Sequence, residues 1–214
     1  MDITNPRINE YLLEMLEYRT DLMIEMEEYA RRNNITIISP LVGAFISQIA
    51  ILINAMTVFE IGSGIGYSSY YLAMGMNAAG KIICTDRSEY NKSIALDFLN
   101  RGDFGPIVQY HVGDPSEIIR EIEEYDEMFD IVFNNAEIEG YSKVLDLVLP
   151  LIREGGIFIA NNVLHGGKIL EAKSDKESRS LLEFNRKLFI SKGVFPTILP
   201  IGDGLGIAVK PHSI

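Results

Sequence analysis

Three glycines at alternate positions, Gly62, Gly64 and Gly66, and an acidic residue beyond them, Asp86, are the residues of this chain best suited to chemistry. The glycines follow a β-branched and aromatic run that ends at Glu60, and Tyr67 then opens an apolar helical pattern. Strand, glycine turn and helix make a nucleotide-binding elbow. Glycine reaches φ > 0 and lets a ligand approach the main chain closely. The helix that starts there offers free N–H groups and a positive dipole end to an anionic group. No Gly-Lys-Ser/Thr follows, which argues against a nucleoside triphosphate. A glycine turn also serves tight strand–helix packing, so the turn alone leaves both readings open. Asp86 favours the ligand. It ends the apolar run Lys81 to Thr85, about 20 residues past the glycines, where an acidic side chain can take both hydroxyls of a ribose. The alternative for Asp86 is a helix N-cap or loop residue.

The elements that must position these residues alternate along the chain. Strand patterns at 57–62, 81–85, 107–112, 129–134 and 157–160 precede helical patterns at 67–78, 88–100, 115–124, 140–150 and within 175–191. Two more apolar runs, 194–199 and 205–210, flank the hairpin signal Gly202-Asp203-Gly204. Repeated βα units require a parallel sheet with helices on both faces. The expected fold is α/β: a Rossmann-like, doubly wound, mostly parallel seven-stranded sheet with a C-terminal antiparallel hairpin strand. Residues 8–32 read as two amphipathic helices, with Leu12, Leu13, Leu16, Leu22, Met23, Met26 and Tyr29 as apolar stripes. A third helix, 41–54, follows Ser39-Pro40. In such sheets the ligand lies across the carboxyl ends of the strands. That rule gathers Glu60 to Ser63, Asp86, Gly113-Asp114, Asn134-Asn135 and Asn161-Asn162 into one place.

Composition narrows the function. The 214 residues fit one domain, 1–214, with residues 1–36 as an N-terminal helical extension, and 47% are hydrophobic. The longest apolar stretch, Val42 to Val58, is interrupted by Ser47, Gln48 and Asn54, so no membrane partner is expected. The start Met-Asp-Ile-Thr-Asn-Pro-Arg lacks a signal-peptide pattern. The single cysteine, Cys84, lies in a strand and reads as a core residue in a reducing compartment, so the cytoplasm is expected. A net charge of −11 argues against a large nucleic-acid footprint. Arg31-Arg32 and the Arg179/Arg186/Lys187 region read as solvated helix faces, and the acidic stretch Glu121 to Asp130 as a solvated helix end and loop.

The chain resembles the cation-dependent O-methyltransferases, the family of catechol and caffeoyl-coenzyme A O-methyltransferases and of bacterial relatives acting on tRNA. The resemblance runs through Ser39-Pro-Leu-Val-Gly43, Phe59-Glu-Ile-Gly-Ser-Gly-Ile-Gly-Tyr-Ser68, Thr85-Asp86, Gly113-Asp114 and Phe129-Asp-Ile-Val-Phe133. It continues through Gly155-Gly156, Asn162-Val-Leu164 and Pro200-Ile-Gly-Asp-Gly-Leu205. The two N-terminal helices look most like the bacterial branch. The resemblance implies S-adenosylmethionine as methyl donor. Gly62, Ser63 and Gly64 would back its methionine moiety, with Ser68 on the carboxylate. Asp86 would take the ribose hydroxyls. Asp114 and Pro115 would border the adenine, and Val42 and Gly43 would belong to a loop over the donor. Glu60 and Asn135 complete the expected donor-binding set. A β carbon at Gly62 is expected to fill space that the donor uses while leaving the fold largely intact.

The departures matter as much. After the fourth strand the family pattern is Asp-x-x-Lys, a metal ligand and a lysine that helps deprotonate the acceptor; here these positions are Asn135 and Ile138. The family's second metal pair, Asp-Asn, is Asn161-Asn162. Mg²⁺ usually draws on carboxylates to offset its dehydration cost, so metal binding at Asn135, Asn161 and Asn162 is expected to be weak or absent. Three outcomes are then open: the acceptor is intrinsically nucleophilic, another base serves, with Glu137 and His165 as candidates beside Glu139 and Asp203, or catalysis is lost. The acceptor is expected to be a small hydroxylated molecule. Its specificity would lie in residues 137–141, 164–175 and 201–204. The resemblance and the apolar stripes imply a homodimer. A donor-binding protein without catalysis and a tRNA-modifying enzyme are the alternatives.

Overall fold

A parallel strand covered on both faces reads as a near-continuous apolar run, and β4 (Phe129–Asn134) is buried at every position, its Asp130 and Asn134 included. The computed structural model describes residues 5–16, 19–123, 128–171 and 175–212. Around β4 stand β1 (Thr57–Ile61), β2 (Lys81–Asp86), β3 (Val108–Val112), β5 (Ile152–Ala160), β6 (Phe195–Leu199) and β7 (Leu205–Val209), in the order β3-β2-β1-β4-β5-β7-β6. The first five pair in parallel, and β7 runs antiparallel to both β5 and β6. This is the expected seven-stranded sheet with its hairpin.

Alternation along β1 divides the core. Val58 faces a cluster with Met23, Met26, Ile46, Leu72 and Phe98. Phe59 and Ile61 face the opposite cluster with Ile119, Leu145, Leu181 and Phe184. The first face is covered by α2 (Asp21–Arg32), α3 (Pro40–Leu52), α4 (Tyr67–Gly75) and α5 (Glu89–Arg101). The second is covered by α6 (Pro115–Glu123), α7 (Tyr141–Val148) and α8 (Lys176–Ile190). Asp130 anchors the foot of β1: its Oδ2 accepts from the amides of Met56 and Thr57, both at 2.7 Å, and its Oδ1 holds Arg153.

Three boundaries depart from expectation. The expected helix 140–150 ends at Val148 and continues as a 3-10 turn, Leu149–Leu151, because Pro150 has no N–H to extend an α-helix. The fifth strand begins at Ile152 rather than 157, with Gly155 (φ 74) in a bulge that shifts the register between Phe129–Ile152 and Ile131–Ile157. The helix after the elbow stops at Gly75, where a β carbon would lie 2.2 Å from the Ser47 carbonyl of α3. Residue 124 of the expected helix, and 124–127 of the acidic stretch, lie outside the described residues. In the N-terminal extension α2 buries Met23, Met26 and Ala30, whereas α1 (Pro6–Glu14) buries none of its side chains. No helix among the described residues is long and apolar enough to cross a membrane.

Candidate active site

The strand order reverses between β1 and β4, since the chain leaves β1 for β2 on one side and returns to β4 on the other. A crevice opens at the carboxyl ends of strands at such a point. The elbow forms its floor. The amides of Gly62 and Ser63 donate to the Thr85 carbonyl of β2 at 2.9 and 3.0 Å, and Tyr110 of β3 donates its hydroxyl to the Gly64 carbonyl at 2.6 Å. Gly66 (φ 81) caps α4 with no side-chain hydrogen bond, which leaves first-turn N–H groups available to an anion.

The glycines have separate reasons. A β carbon at Gly62 would lie 2.6 Å from the Asn135 carbonyl oxygen and 2.8 Å from the Ala136 Cα. Its absence lets the β4–α7 loop close on the elbow. The space beside Gly62, expected to belong to the donor, is filled by protein backbone. At Gly64 (φ 53) a β carbon would meet nothing within 4 Å.

Above Gly64 lies a cleft of about 650 Å³. One wall is Gly62, Gly64, Thr85 and Asp86; a second is Asp114, Pro115 and Ser116; a third is Asn135, Ala136, Glu137 and Lys143. Ile35 and Thr36, from the α2–α3 connection, close one side, and Asn162 lies at the β5 end. Asp86 is heavily engaged. Its Oδ2 accepts from the Gly64 amide at 3.1 Å, and its Oδ1 accepts from the Ser88 amide at 2.8 Å and Asn91 Nδ2 at 3.1 Å. A carboxylate has about four acceptor sites, so roughly one is left for a ligand. Asp86 therefore both orders the start of α5 and faces the cleft, and the N-cap position itself is Ser88. Asp114 accepts from the Ser116 amide at 2.8 Å. That bond, above all, holds its carboxyl below the usual range. Arg87 crosses the mouth, 2.9 Å from Glu137 and 3.5 Å from Asp114.

Glu60, Ser63 and Ser68 lie beneath the elbow rather than on the cleft wall. Burial pushes the Glu60 carboxyl up, against the hydroxyls of Ser68, Ser69 and Ser63 and the Cys84 thiol around it. Its Oε2 accepts from Ser69, while Oε1 and the Ser63 hydroxyl are buried without a partner. Val42 and Gly43 are also outside the cleft lining. They sit in the first turn of α3 instead of in a loop, and a β carbon at Gly43 would strike the Tyr71 ring at 2.3 Å.

Asn161 Nδ2 donates to Asn135 Oδ1 at 2.9 Å, while Asn161 Oδ1 and Asn134 Nδ2 are buried without partners. The donor set formed by Asn135, Asn161 and Asn162 holds no carboxylate, and one of its oxygens is already taken by an amide N–H. The set therefore offers neutral oxygens alone and lacks the carboxylate charge on which a divalent-cation site usually draws.

The candidate bases are all engaged. Glu137 pairs with Arg87, and Glu139, on the cleft wall, faces Lys176 at 3.6 Å. His165 is outside the cleft lining, with Nε2 3.5 Å from Glu177. Asp203 accepts from the Gly166 amide. Ile138 lies in a short 3-10 turn, Ile138–Gly140, and packs on the second core cluster. Sequence reasoning missed Arg87, Asn91, Lys143 and the Ile35–Thr36 wall. Arg87 and Asn91 had a signal in their nearness to Asp86; Ile35 and Thr36 had none, since only the folding of α2 and α3 brings them over the cleft.

A family model described as O-methyltransferase matches residues 14–211. The catechol O-methyltransferase of Niastella koreensis is 26% identical over 94% of this chain and 96% of its own length. Caffeoyl-CoA O-methyltransferase 2 of Petunia hybrida is 27% identical over 92% of this chain and 87% of its own. The structure of an O-methyltransferase from Bacillus cereus in complex with SAH superposes with a TM-score of 0.87 at 23% identity, covering 95% of this chain and 97% of that one. That likeness is one of fold.

Proposed function

The chain belongs to the O-methyltransferase family, and within it we propose that the cleft binds S-adenosylmethionine and directs its methyl group to the oxygen of a small hydroxylated acceptor without help from a divalent metal. The observation that carries this reading is the open space over Gly64, walled by Asp86 on one side and Asp114-Pro115 on the other. The donor would supply an electrophilic methyl group on a positively charged sulfur. On the cleft wall Asp86 and Asn91 suit the ribose and Asp114 to Ser116 suit the adenine edge; the first turn of α4, beneath the elbow and without a side-chain cap, suits the methionine carboxylate. In the SAH complex of the Bacillus cereus protein the same fold holds the demethylated form of that donor.

Transfer forms an oxygen–carbon bond as the carbon–sulfur bond breaks, and the electron pair stays on sulfur. The acceptor oxygen must shed its proton. Glu137, Glu139, His165 and Asp203 each have a partner already, so these four offer little help to a hydroxyl with a pKa of about 10. This favours an acceptor acidic enough to ionise unaided, which the protein then aligns with the donor. Asn135 and Asn162 border the place where that oxygen would sit and can read it by neutral hydrogen bonds.

The tRNA-modifying alternative ranks lower, because Arg32 is paired with Glu28 and Lys187 with Asp146 on an acidic protein. The exposed apolar side chains of α1 and its C-cap, Ile8, Tyr11, Leu12 and Met15, suit contact with a second copy of the chain. The single buried thiol, Cys84, suits the cytoplasm.

Labelled S-adenosylmethionine supplied with a panel of phenols and enols of graded acidity, in EDTA and in Mg²⁺, tests the reading. Methylation of the more acidic acceptors, equal in both conditions, is expected. Strict dependence on Mg²⁺ would overturn the metal-free step, and transfer to no acceptor despite donor binding would favour a donor-binding protein without catalysis.

A further inference from the structure

Tyr67 is the first residue of α4, directly after Gly66, and is 1% exposed. Its hydroxyl donates to Glu27 Oε1 of α2 at 2.6 Å. Burial first, and the Glu27 carboxylate second, raise the Tyr67 phenol far above its ordinary range, so it remains a donor. The other Glu27 oxygen accepts from Arg19 at 2.9 Å. The Tyr67 ring meets Tyr71 edge-on, with centroids 5.3 Å apart, and Tyr71 fills the space against Gly43 of α3. Between α2 and α3 run Ile35 and Thr36, one side of the cleft. One half-buried hydrogen bond thus joins the turn that opens α4 to α2, the helix that leads into the segment closing one side of the cleft.

We infer that Glu27 is a positioning residue for the donor site, holding the first turn of α4 and the Ile35–Thr36 wall as one unit, so that docking of α2 and donor binding are coupled. This rests on the proposed donor site. Coupling of this kind is reciprocal: if docking of α2 strengthens the donor, the donor strengthens docking. The helix has other polar ties that do not reach the elbow. Arg101 of α5 holds Glu25, with Nη1 at 2.8 Å, and the Tyr90 hydroxyl lies 2.7 Å from that of Tyr29. A cut at Arg101 loosens the same helix without touching Tyr67.

The test titrates S-adenosylmethionine into the wild type and into Glu27→Ala, Glu27→Gln, Tyr67→Phe and Arg101→Met by calorimetry, with hydrogen exchange followed over residues 21–36. Glu27→Ala should raise the dissociation constant by about tenfold, within the usual span of coupling between sites. Glu27→Gln, whose amide oxygen still accepts, should recover most of that loss. Tyr67→Phe keeps the ring packing, guards against a misfolded alanine variant, and should weaken the donor severalfold. Arg101→Met should stay near the wild type. The donor should slow exchange in residues 21–36 of the wild type and not of Glu27→Ala. Wild-type affinity in Glu27→Ala or Tyr67→Phe, or an equal loss in Arg101→Met, would overturn the coupling while leaving the donor site standing. Failure of the wild type to bind would instead overturn the donor reading, and the coupling with it.

Discussion

Alanine at Gly64 and alanine at Gly62, made separately, pull apart two roles that the elbow combines. Both residues have positive φ, 53° at Gly64 and 80° at Gly62, and a side chain in the left-handed region costs about 1–2 kcal/mol. At Gly64 nothing stands within 4 Å of the new carbon, so backbone strain is the whole cost to the fold. At Gly62 the carbon would meet the Asn135 carbonyl at 2.6 Å, backbone that cannot swing aside, and overpacking adds about 1–3 kcal/mol. For a chain of this size each kcal/mol lowers the melting temperature by about 2–4 °C, so Gly64→Ala should lose about 2–8 °C and Gly62→Ala about 4–20 °C. Donor binding should order the opposite way: the Gly64 methyl enters the cleft, and a clash of about 1–3 kcal/mol corresponds to roughly 5- to 150-fold in affinity, whereas the Gly62 methyl points at protein backbone. Scanning calorimetry gives the stabilities, and titration of S-adenosylmethionine below the melting range gives the affinities. Gly64→Ala with wild-type affinity would refute the placement of the donor. Gly62→Ala as stable as Gly64→Ala would refute the account of the elbow's closure on the β4–α7 loop.

Two further predictions concern the neighbouring polar groups. Combining Asn135→Asp, Asn161→Asp and Ile138→Lys replaces an amide hydrogen bond of 2.9 Å with two facing carboxylates, so the variant should melt lower in EDTA and recover with Mg²⁺; no Mg²⁺-dependent rise would show that these positions cannot assemble a metal site. Glu60 has its folded pKa raised by burial, so above the unfolded carboxylate range the folded state must either keep a proton that the unfolded chain has lost or bury a charge. Its contribution to stability is therefore full below the unfolded pKa and lost as pH rises through the folded one. Glu60→Gln should flatten that decline in urea unfolding measured from pH 4 upward, and an unchanged slope would contradict the assignment.

The features legible in the sequence are those set by local spacing. Gly62, Gly64 and Gly66 after an apolar run could only be a turn between strand and helix, and Asp86 stands where the next strand ends, facing that turn. The apolar runs 129–134 and 81–85 identified buried strands because both faces of the sheet are covered. What escaped depends on contacts between distant segments. Val42 and Gly43 pack in a helical turn against Tyr71, and no local pattern separates that use of glycine from a ligand loop. Gly155-Gly156 stands before the expected strand 157–160 but forms a bulge inside β5, since its neighbours continue to pair with β4 and with the end of β7. His165 meets Glu177 only because the turn after β5 folds onto the start of α8, and Arg87 meets Glu137 only because β2 and β4 flank β1.

The most direct measurement is calorimetric titration of S-adenosylmethionine into the wild-type protein, first in EDTA and then in Mg²⁺. One donor per chain is expected, bound with the same affinity in both. Binding that appears only with Mg²⁺ would contradict the reading of Asn135, Asn161 and Asn162, and no binding in either condition would contradict the assignment of the cleft above Gly64.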